Sequence, residues 1–353
     1  MAWDPSTVAN LLITGGAGFI GSHTCLTLLQ AGHHLTVLDN FSNSSPESLR
    51  RVVAIAGDET AGRLRVLHGD IRKDADLVDA FRHGCGDVIE AVIHFAGLKA
   101  VGESVREPLT YWDVNVSGTI RLLEAMRAHD CRTIVFSSSA TLYGLPETVP
   151  IRESSRIQPI NPYGQSKAAA EQILRNLSES EPGWRIACLR YFNPVGAHPS
   201  GKIGEDPQNT PNNLFPFITQ VAVGRLDHLN IFGNDWPTPD GTGVRDYIHV
   251  MDLAEGHQAA LDHLFTSTEQ FLTLNLGSGK GHSVLDVIHC FEQTAEQSVP
   301  YQFAPRREGD APICVADPTL AQRILGWQTR RTLMDMCRDG WTWQRNHPRG
   351  YDI

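Results

Sequence analysis

The sequence predicts the α/β class, a doubly wound parallel sheet followed by a smaller mixed α/β C-terminal domain. Up to Tyr191, short β-branched, near-continuously apolar runs alternate with helix-length segments, the pattern of strands covered on both faces by helices. A glycine cluster joins the first such run to the first helix. From Phe192 through Gly243 the chain becomes irregular and rich in Pro, Gly and Asn, and shorter helices and strands follow. At 353 residues and about 150 residues per domain, two domains are expected.

Taken in order, strands are expected at Asn10 to Thr14, Leu35 to Leu38, Leu64 to His68, Val88 to Phe95, Thr133 to Ser137 and Arg185 to Tyr191. Helical periodicity covers Gly18 to Gln30 and Tyr111 to His129. Residues 9–191 then form the first domain and 192–353 the second, placed over the C-terminal edge of the sheet, where open α/β sheets bind ligands. The strand-then-helix pattern within 246–264 is expected to return to the first domain.

Thirty Lys and Arg against forty Asp and Glu give a formal charge of -10, which argues against nucleic acid or an anionic membrane surface as partner. Any anionic ligand must be held by a local site. No apolar run approaches the ~18 residues that span a bilayer. Met1 to Pro5 lacks the basic and apolar regions of a secretory signal. The seven cysteines are scattered and never spaced C-x-x-C, which reads as reduced thiols in a cytoplasmic protein. Fifteen histidines include no H-E-x-x-H, and His33-His34 falls in a turn, so no metal site is expected.

Thr14-Gly15-Gly16-Ala17-Gly18-Phe19-Ile20-Gly21 follows the first strand directly and opens a helix. Glycines at 15, 18 and 21 let the backbone turn sharply and let a pyrophosphate reach the N–H groups at the helix start. The second strand ends at Asp39, 18 residues beyond Gly21, where an acid hydrogen-bonds ribose hydroxyls and repels a 2′-phosphate. No arginine lies nearer than Arg50. This is a Rossmann-type nucleotide site that favours NAD over NADP. Asp70, at the end of the third strand, is expected near the adenine, and Phe95-Ala96-Gly97 near the cofactor; a helix cap and a core residue are the structural alternatives for Asp70 and Phe95.

Tyr163-Gly164-Gln165-Ser166-Lys167 opens a helix after Asn161-Pro162. The i,i+4 spacing places Lys167 beside Tyr163. A phenol acting as base near neutral pH needs about 4 kcal/mol of preferential stabilisation of the phenolate, which the Lys167 ammonium and an oxidised nicotinamide can supply. The fifth strand leads into Ser137-Ser138-Ser139-Ala140-Thr141, and Ser139 is expected to hydrogen-bond a reacting sugar oxygen. Ser137 and Ser138 are expected to bond turn backbone. Elimination of water, which sugar-nucleotide dehydratases drive with an acid just after this strand, has no evident acid in Ala140 and Thr141.

With these motifs stand His94 to Ser104, Leu189 to Pro194, Pro211 to Leu214, Gly241 to Tyr247 and Arg306 to Asp310. Together they resemble the UDP-glucose 4-epimerase family of extended short-chain dehydrogenases, from Asn10 to about Tyr351. The resemblance implies that Tyr163 takes the proton of the sugar 4-hydroxyl as hydride passes to NAD, that the 4-keto sugar swings over, and that hydride returns to its other face. Lys167 would lower the Tyr163 pKa and hold the nicotinamide ribose; Ser139 would bridge to the sugar oxygen. The cofactor set would be Gly15, Gly18, Phe19, Ile20, Gly21, Asp39, Asn40, Asn43, Ser44, Asp70, Ile71, Phe95, Ala96, Gly97, Lys99, Tyr163, Lys167 and Phe192. The UDP-hexose would meet Lys99, Ser139, Tyr163, Asn193, Asn213 and Leu214, with the Asn230-Ile231-Phe232 strand beside uracil. Arg245, Arg306 and Asp310 would surround the diphosphate and uridine ribose; a solvated charge pair is the alternative for Arg306-Arg307, and Arg307 is assigned no role.

The resemblance also suggests a homodimer, with Tyr111 to His129 as candidate interface. Departures from the family are an N-terminal extension, Phe19 where many relatives have Tyr, and Gln165 where Lys is frequent. Cys314 matches a position that lines the hexose pocket, large in members restricted to unsubstituted sugars and small in those that accept N-acetylated ones. UDP-N-acetylglucosamine is therefore an expected further substrate. An NAD-dependent epimerase or dehydrogenase of another sugar nucleotide remains an alternative, as does a non-catalytic NAD-binding scaffold; the scaffold has no need of Tyr163, Lys167 and Ser139 together.

Overall fold

A computed structural model describes residues 8–352 except 83, 86, 87, 208–210, 212, 269 and 308. The N-terminal segment Met1 to Pro5, Asn212 and Glu308 therefore lie outside the described residues. The first half builds β1 (Asn10–Thr14), α1 (Phe19–Gln30), β2 (His34–Asp39), α2 (Pro46–Ala56), β3 (Leu64–His68), α3 (Asp74–Arg82) and β4 (Ala91–His94). After it come α4 (Val101–Arg106), α5 (Pro108–Trp112), α6 (Gly118–Ala128), β5 (Thr133–Ser139), α7 (Pro162–Ser180) and β6 (Arg185–Tyr191).

The second half holds β7 (Asn193–Val195), α8 (Leu214–Ala222), β8 (Leu229–Phe232), β9 (Val244–His249), α9 (Val250–Thr266), β10 (Phe271–Leu276) and β11 (Gly281–Ser283). The chain then closes with α10 (Val284–Ala295), β12 (Tyr301–Ala304), β13 (Ile313–Cys314), α11 (Thr319–Leu325) and α12 (Leu333–Asn346).

Seven strands form one sheet in the order β10-β6-β5-β4-β1-β2-β3, every neighbouring pair parallel. Successive residues of a strand point to opposite faces, and both faces are covered. Leu11 and Ile13 of β1 pack with α1, α2 and α9, whereas Leu12 between them packs with α3, α6 and α7. Each such aliphatic side chain contributes about 1.5–3 kcal/mol on burial, so the missing alternation of β1 follows from its having two dry faces.

Three boundaries differ from the sequence reading. The fourth strand starts at Ala91, because Val88 is 61% exposed and precedes the sheet. The fifth runs on to Ser139, in register with Tyr191, so Ser139 belongs to the strand itself. The segment 111–129 is broken by a turn of π-helix at Asp113–Ser117; the extra residue in that turn rotates Asn115 inward, where it is buried.

The expected return of 246–264 divides. β9 joins a second sheet with β7, β11 and β13, while α9 packs against α1 and β10 supplies the outermost strand beside β6. Asp246 fixes β9 in that second sheet: its buried carboxylate accepts from Ser278 N and Oγ (2.7 and 2.6 Å), Gly279 N (2.9 Å) and Ala316 N (3.1 Å). A separate core of Phe215, Ile218, Ile231, Tyr247, Ile288 and Phe291 lies beneath the second sheet.

One polar network crosses the interior of the first sheet. Arg190 of β6 donates from Nε to both carboxylate oxygens of Glu171 on α7 (2.9 and 3.2 Å), and Ser138 of β5 donates to the same carboxylate. Arg190 also donates to Tyr143 Oη (3.0 Å), which in turn donates to Asn275 of β10 (2.7 Å). Arg190 and Glu171 are both buried.

Candidate active site

The turn after β1 is tight because Gly15, at φ +70°, lies against β4: a Cβ there would sit 2.6 Å from Ala96 N. A Cβ on Gly21 would meet Gly15 O at 2.4 Å. Both glycines are demanded by the fold. Gly18 differs, since a Cβ there would meet nothing nearer than Gly15 O at 3.4 Å. Gly18 caps α1 without a side-chain hydrogen bond, so the first-turn N–H groups, which have no partner within the helix, open into the adjoining groove.

That groove, of about 380 Å³, is lined by Gly15, Gly18, Phe19, Ile20, Gly21, Asp39, Asn40, Asn43, Ser44, Asp70, Ile71, Phe95, Ala96, Gly97, Lys99, Tyr163 and Lys167. It brings together every residue the sequence assigned to the cofactor except Phe192, which packs instead with Ala140, Leu142, Tyr143 and Ile151. Asp39 is buried in the groove wall and accepts from Ala17 N, Phe41 N and Ser44 Oγ, each at 2.9 Å. A carboxylate has about four acceptor positions, so one is left for a ligand. Asp70 is held by Arg72 (2.6 Å), whose hydrogen bond brings its pKa down to about 2. Phe95 fills both roles suggested for it, lining the groove and packing on His257 at 4.8 Å.

Asn161 caps α7 by accepting from Gly164 N (2.9 Å), which sets the helix phase that buries both Tyr163 and Lys167. Burial raises the Tyr163 pKa above its ordinary value of 10.0, while a hydrogen bond with Ser139 and the charge of Lys99 pull it back. Ser139 Oγ accepts from Thr141 Oγ1 (2.9 Å) and Thr141 N (3.2 Å), so its own proton is free to be given to the phenol. Thr141 and Ser139 thus form a donor pair whose free proton serves Tyr163, which lines the groove.

Two lysines line the groove with the phenol, Lys99 and Lys167. Lys167 Nζ donates to Ser137 O (2.9 Å), burial brings its pKa down to about 8, and Lys99 is the cation that acts on Tyr163. Lys99 itself is bridged to Glu205 at 2.9 Å. The adjacent serines also differ from expectation: Ser137 Oγ bonds Tyr191 Oη and Ser138 bonds Glu171, so neither serves a turn backbone. Asn115 was not legible in the sequence. It accepts from Leu98 N (2.8 Å) and donates to Leu98 O and Ser166 Oγ (both 3.0 Å), fixing the loop that carries Lys99 to the helix that carries Tyr163.

On the other side of Ser139, Cys314 is half-buried against the cluster of Ala140, Tyr143 and Phe192 and pairs in register with Arg245. Asn193 opens β7, and Leu214 opens α8 behind Asn213; Asn213 donates to Glu205 (3.4 Å). The 230–232 strand does not present three side chains to a ligand. Ile231 is 1% exposed in the second-sheet core, whereas Asn230, on the opposite face, is held by Gln302 at 2.7 Å.

The two neighbouring arginines have different partners. Arg306 stacks on Trp236 at 4.1 Å and pairs with Asp235 at 2.7 Å on an exposed rim. Arg307 lies over Phe232 at 3.8 Å, where burial lowers its pKa and the charges of Asp310 and Arg245 act on it. Arg245 lies 3.8 Å from Asp310. Arg245, Arg307 and Asp310 therefore form the charged cluster, with Arg306 outside it.

A family model described as GDP-mannose 4,6 dehydratase matches residues 12–340. The UDP-glucose 4-epimerase of Bacillus subtilis (strain 168) is 54% identical over 97% of this chain and 98% of its own; that of Yersinia enterocolitica is 53% identical over 97% and 99%. The chain belongs to the UDP-glucose 4-epimerase family. Its fold is equally close to the crystal structure of the Bifidobacterium longum UDP-glucose 4-epimerase in complex with NAD+ and UDP, with a TM-score of 0.91 and 48% identity over 96% of this chain and 99% of that one. Against the dehydratase description stands the turn after β5: Ala140 carries no acid, and Thr141 is spent as a donor to Ser139.

Lys167 offers a pH test. A lysine whose folded pKa is depressed is penalised in its charged form; the penalty is complete below the folded value and gone above the unfolded one. For Lys167 that window runs from about 8 to 10.5. In the ligand-free protein, the stability of Lys167→Met relative to wild type should be greatest at neutral pH and decline through the window, as read by urea denaturation. A gap that stays constant there would show that Lys167 is not the titrating group.

Proposed function

We propose that this chain interconverts UDP-glucose and UDP-galactose at the sugar 4-position through a 4-keto intermediate, with NAD retained and recycled. The observation that carries the proposal is that buried Tyr163 and Lys167 line the same groove as the Gly15 to Gly21 turn. The groove fits NAD on two counts. The space at Gly18 is left by the fold and suits a pyrophosphate at a helix start, and Asp39 offers a carboxylate where a 2′-phosphate would be repelled. Bound NAD supplies the acceptor, and then the donor, of the sugar's hydride.

The chain's own residues manage protons and position. Tyr163, as the phenolate, takes the proton of the sugar 4-hydroxyl and gives it back to the same oxygen when the 4-keto sugar is reduced; Ser139, donating to the phenolate, stabilises it between the two transfers. Lys99 and Lys167 add positive charge on either side of the groove. Arg245 and Arg307 bind the diphosphate, for which the planar guanidinium is suited. A keto sugar that must show both faces is held loosely, so binding energy is best drawn from the nucleotide, which does not react. Tyr163→Phe should lower turnover of UDP-galactose by about 10²–10⁴-fold with an unchanged circular dichroism spectrum; full activity in that variant would remove Tyr163 as the base.

Cys314 supports a wider substrate range. Its side chain packs against the cluster that contains Ala140, the residue after Ser139, where a larger side chain would narrow the space beside the reacting sugar. UDP-N-acetylglucosamine should be epimerised by the wild type, and Cys314→Tyr should abolish that activity while UDP-glucose turnover persists. A wild type inert toward the acetylated sugar contradicts this.

A second copy of the chain is the proposed partner. Ile120, Leu123, Ile173 and Leu177 line an apolar cleft between α6 and α7, and Leu109 and Trp112 nearby are 83% and 38% exposed, an apolar surface that a homodimer would cover. Ile120→Arg should convert the dimer to a monomer in light scattering behind size exclusion; a wild type that already runs as a monomer overturns the assignment. The cytoplasm is the proposed location, since all seven cysteines are free thiols, and cell fractionation checks it.

A further inference from the structure

The groove has a roof that none of the catalytic chemistry uses. Gly204, Glu205, Asp206 and Pro207 line it opposite the glycine turn, together with Tyr351 near the C-terminus. These four loop residues reach across from the second half of the chain, and the first three are fastened. Tyr351 Oη bonds both Gly204 N and Gly204 O at 3.2 Å, and Tyr351 N donates to Asp206 Oδ2 at 2.9 Å. Trp343 of α12 donates from its indole to Glu205 O (3.1 Å). Gly204 lies so close to Trp343 that a Cβ would come within 2.3 Å of the indole.

Two further ties hold the edges. Arg51 of α2 lies over the rings of both Trp343 and Tyr351, at 5.7 and 5.2 Å, and donates to Lys202 O at 3.1 Å. On the opposite side the Glu205 carboxylate takes the Lys99 ammonium at 2.9 Å. Glu205 thus spans the groove, its carbonyl fixed to the C-terminal helix and its carboxylate to the loop after β4. Trp343 and Tyr351 are 3% and 8% exposed, so lifting the loop breaks buried contacts.

We infer that the C-terminal segment from Trp343 to Tyr351 is a clasp that fastens the 204–207 loop over the cofactor groove and so sets the rate at which NAD leaves. This rests on NAD filling the groove. An epimerase that regenerates its cofactor in every cycle gains nothing from NAD exchange, whereas a net dehydrogenase must release NADH. Trp343, Tyr351 and Arg51 are positioning residues: they act on the cofactor through the loop.

The test follows the cofactor directly. Wild type, Tyr351→Phe and a chain ending at Pro348 are loaded with isotopically labelled NAD, chased with unlabelled NAD, and assayed for protein-bound label over time. Losing one or two hydrogen bonds from the closed state speeds dissociation by about tenfold, so that increase is expected for Tyr351→Phe, and a larger one for the truncation. A truncated chain with the wild-type melting profile in saturating NAD, yet wild-type exchange, would overturn the clasp. Should the truncated chain not fold, unchanged exchange in Tyr351→Phe, which loses a single hydroxyl, overturns it equally. A wild type that holds no labelled NAD fails differently, because it removes the assignment of the groove itself.

Discussion

The buried pairing of Arg190 with Glu171 is the interaction on which the site's geometry depends. Tyr163, Lys167 and Glu171 follow one another at intervals of four on α7 and form one stripe, all three buried toward the sheet. Glu171 is the end of that stripe and is tied to β6 through Arg190 and to β5 through Ser138. Sliding or rotating α7 would break a charged pair with no water to replace it. Such pairs add little net stability compared with an apolar substitute, yet breaking one costs about 3–5 kcal/mol. The pair therefore fixes position more than it adds stability, and the fixed quantity is the separation of Tyr163 from Ser139.

The electrostatics of the site are those of a molecule of charge -10 with two local exceptions suited to anions. One is backbone, the start of α1, and needs no cation. The other is the Arg245 and Arg307 cluster, whose charges are held near Asp310. Between them lie a phenol whose pKa burial pushes up and an ammonium whose pKa burial pushes down. Burial thus works against the phenolate that a base requires, and positive charge brought by a bound ligand would have to offset it.

Much of this was legible before any coordinates. The β1–α1 turn, Asp39, Ser139 and the Tyr163–Lys167 pair are local in sequence, and local spacing is what a reader of one chain can see. Contacts set by tertiary packing were not legible. Nothing near Asn115 announces that a π-turn will aim it at Leu98 and Ser166. Arg306 and Arg307 are indistinguishable as letters, and only the placement of Phe232 and Trp236 on opposite sides of their loop sorts them. Ile231 read as a ligand contact because its strand was expected beside uracil, whereas the alternation of β8 sends its side chain into the core. The strand and helix of 246–264 were read as one unit, although the hydrogen bonds to Asp246 hold β9 in the second sheet while α9 crosses to the first.

Gly18 separates two demands that act on the same turn. Gly15 and Gly21 are required by close backbone packing, and any stability measurement on the empty protein would reveal it. Gly18 is not: at an ordinary φ of -69°, with no atom nearer than 3.4 Å to an added methyl, it costs the folded chain backbone entropy and returns no contact. Engineering guided by stability alone would replace it with alanine and score the change as an improvement. The thermostable product would have lost the open space beside the helix start, where the proposed cofactor lies, so protecting this position requires selecting for occupancy as well as for folding.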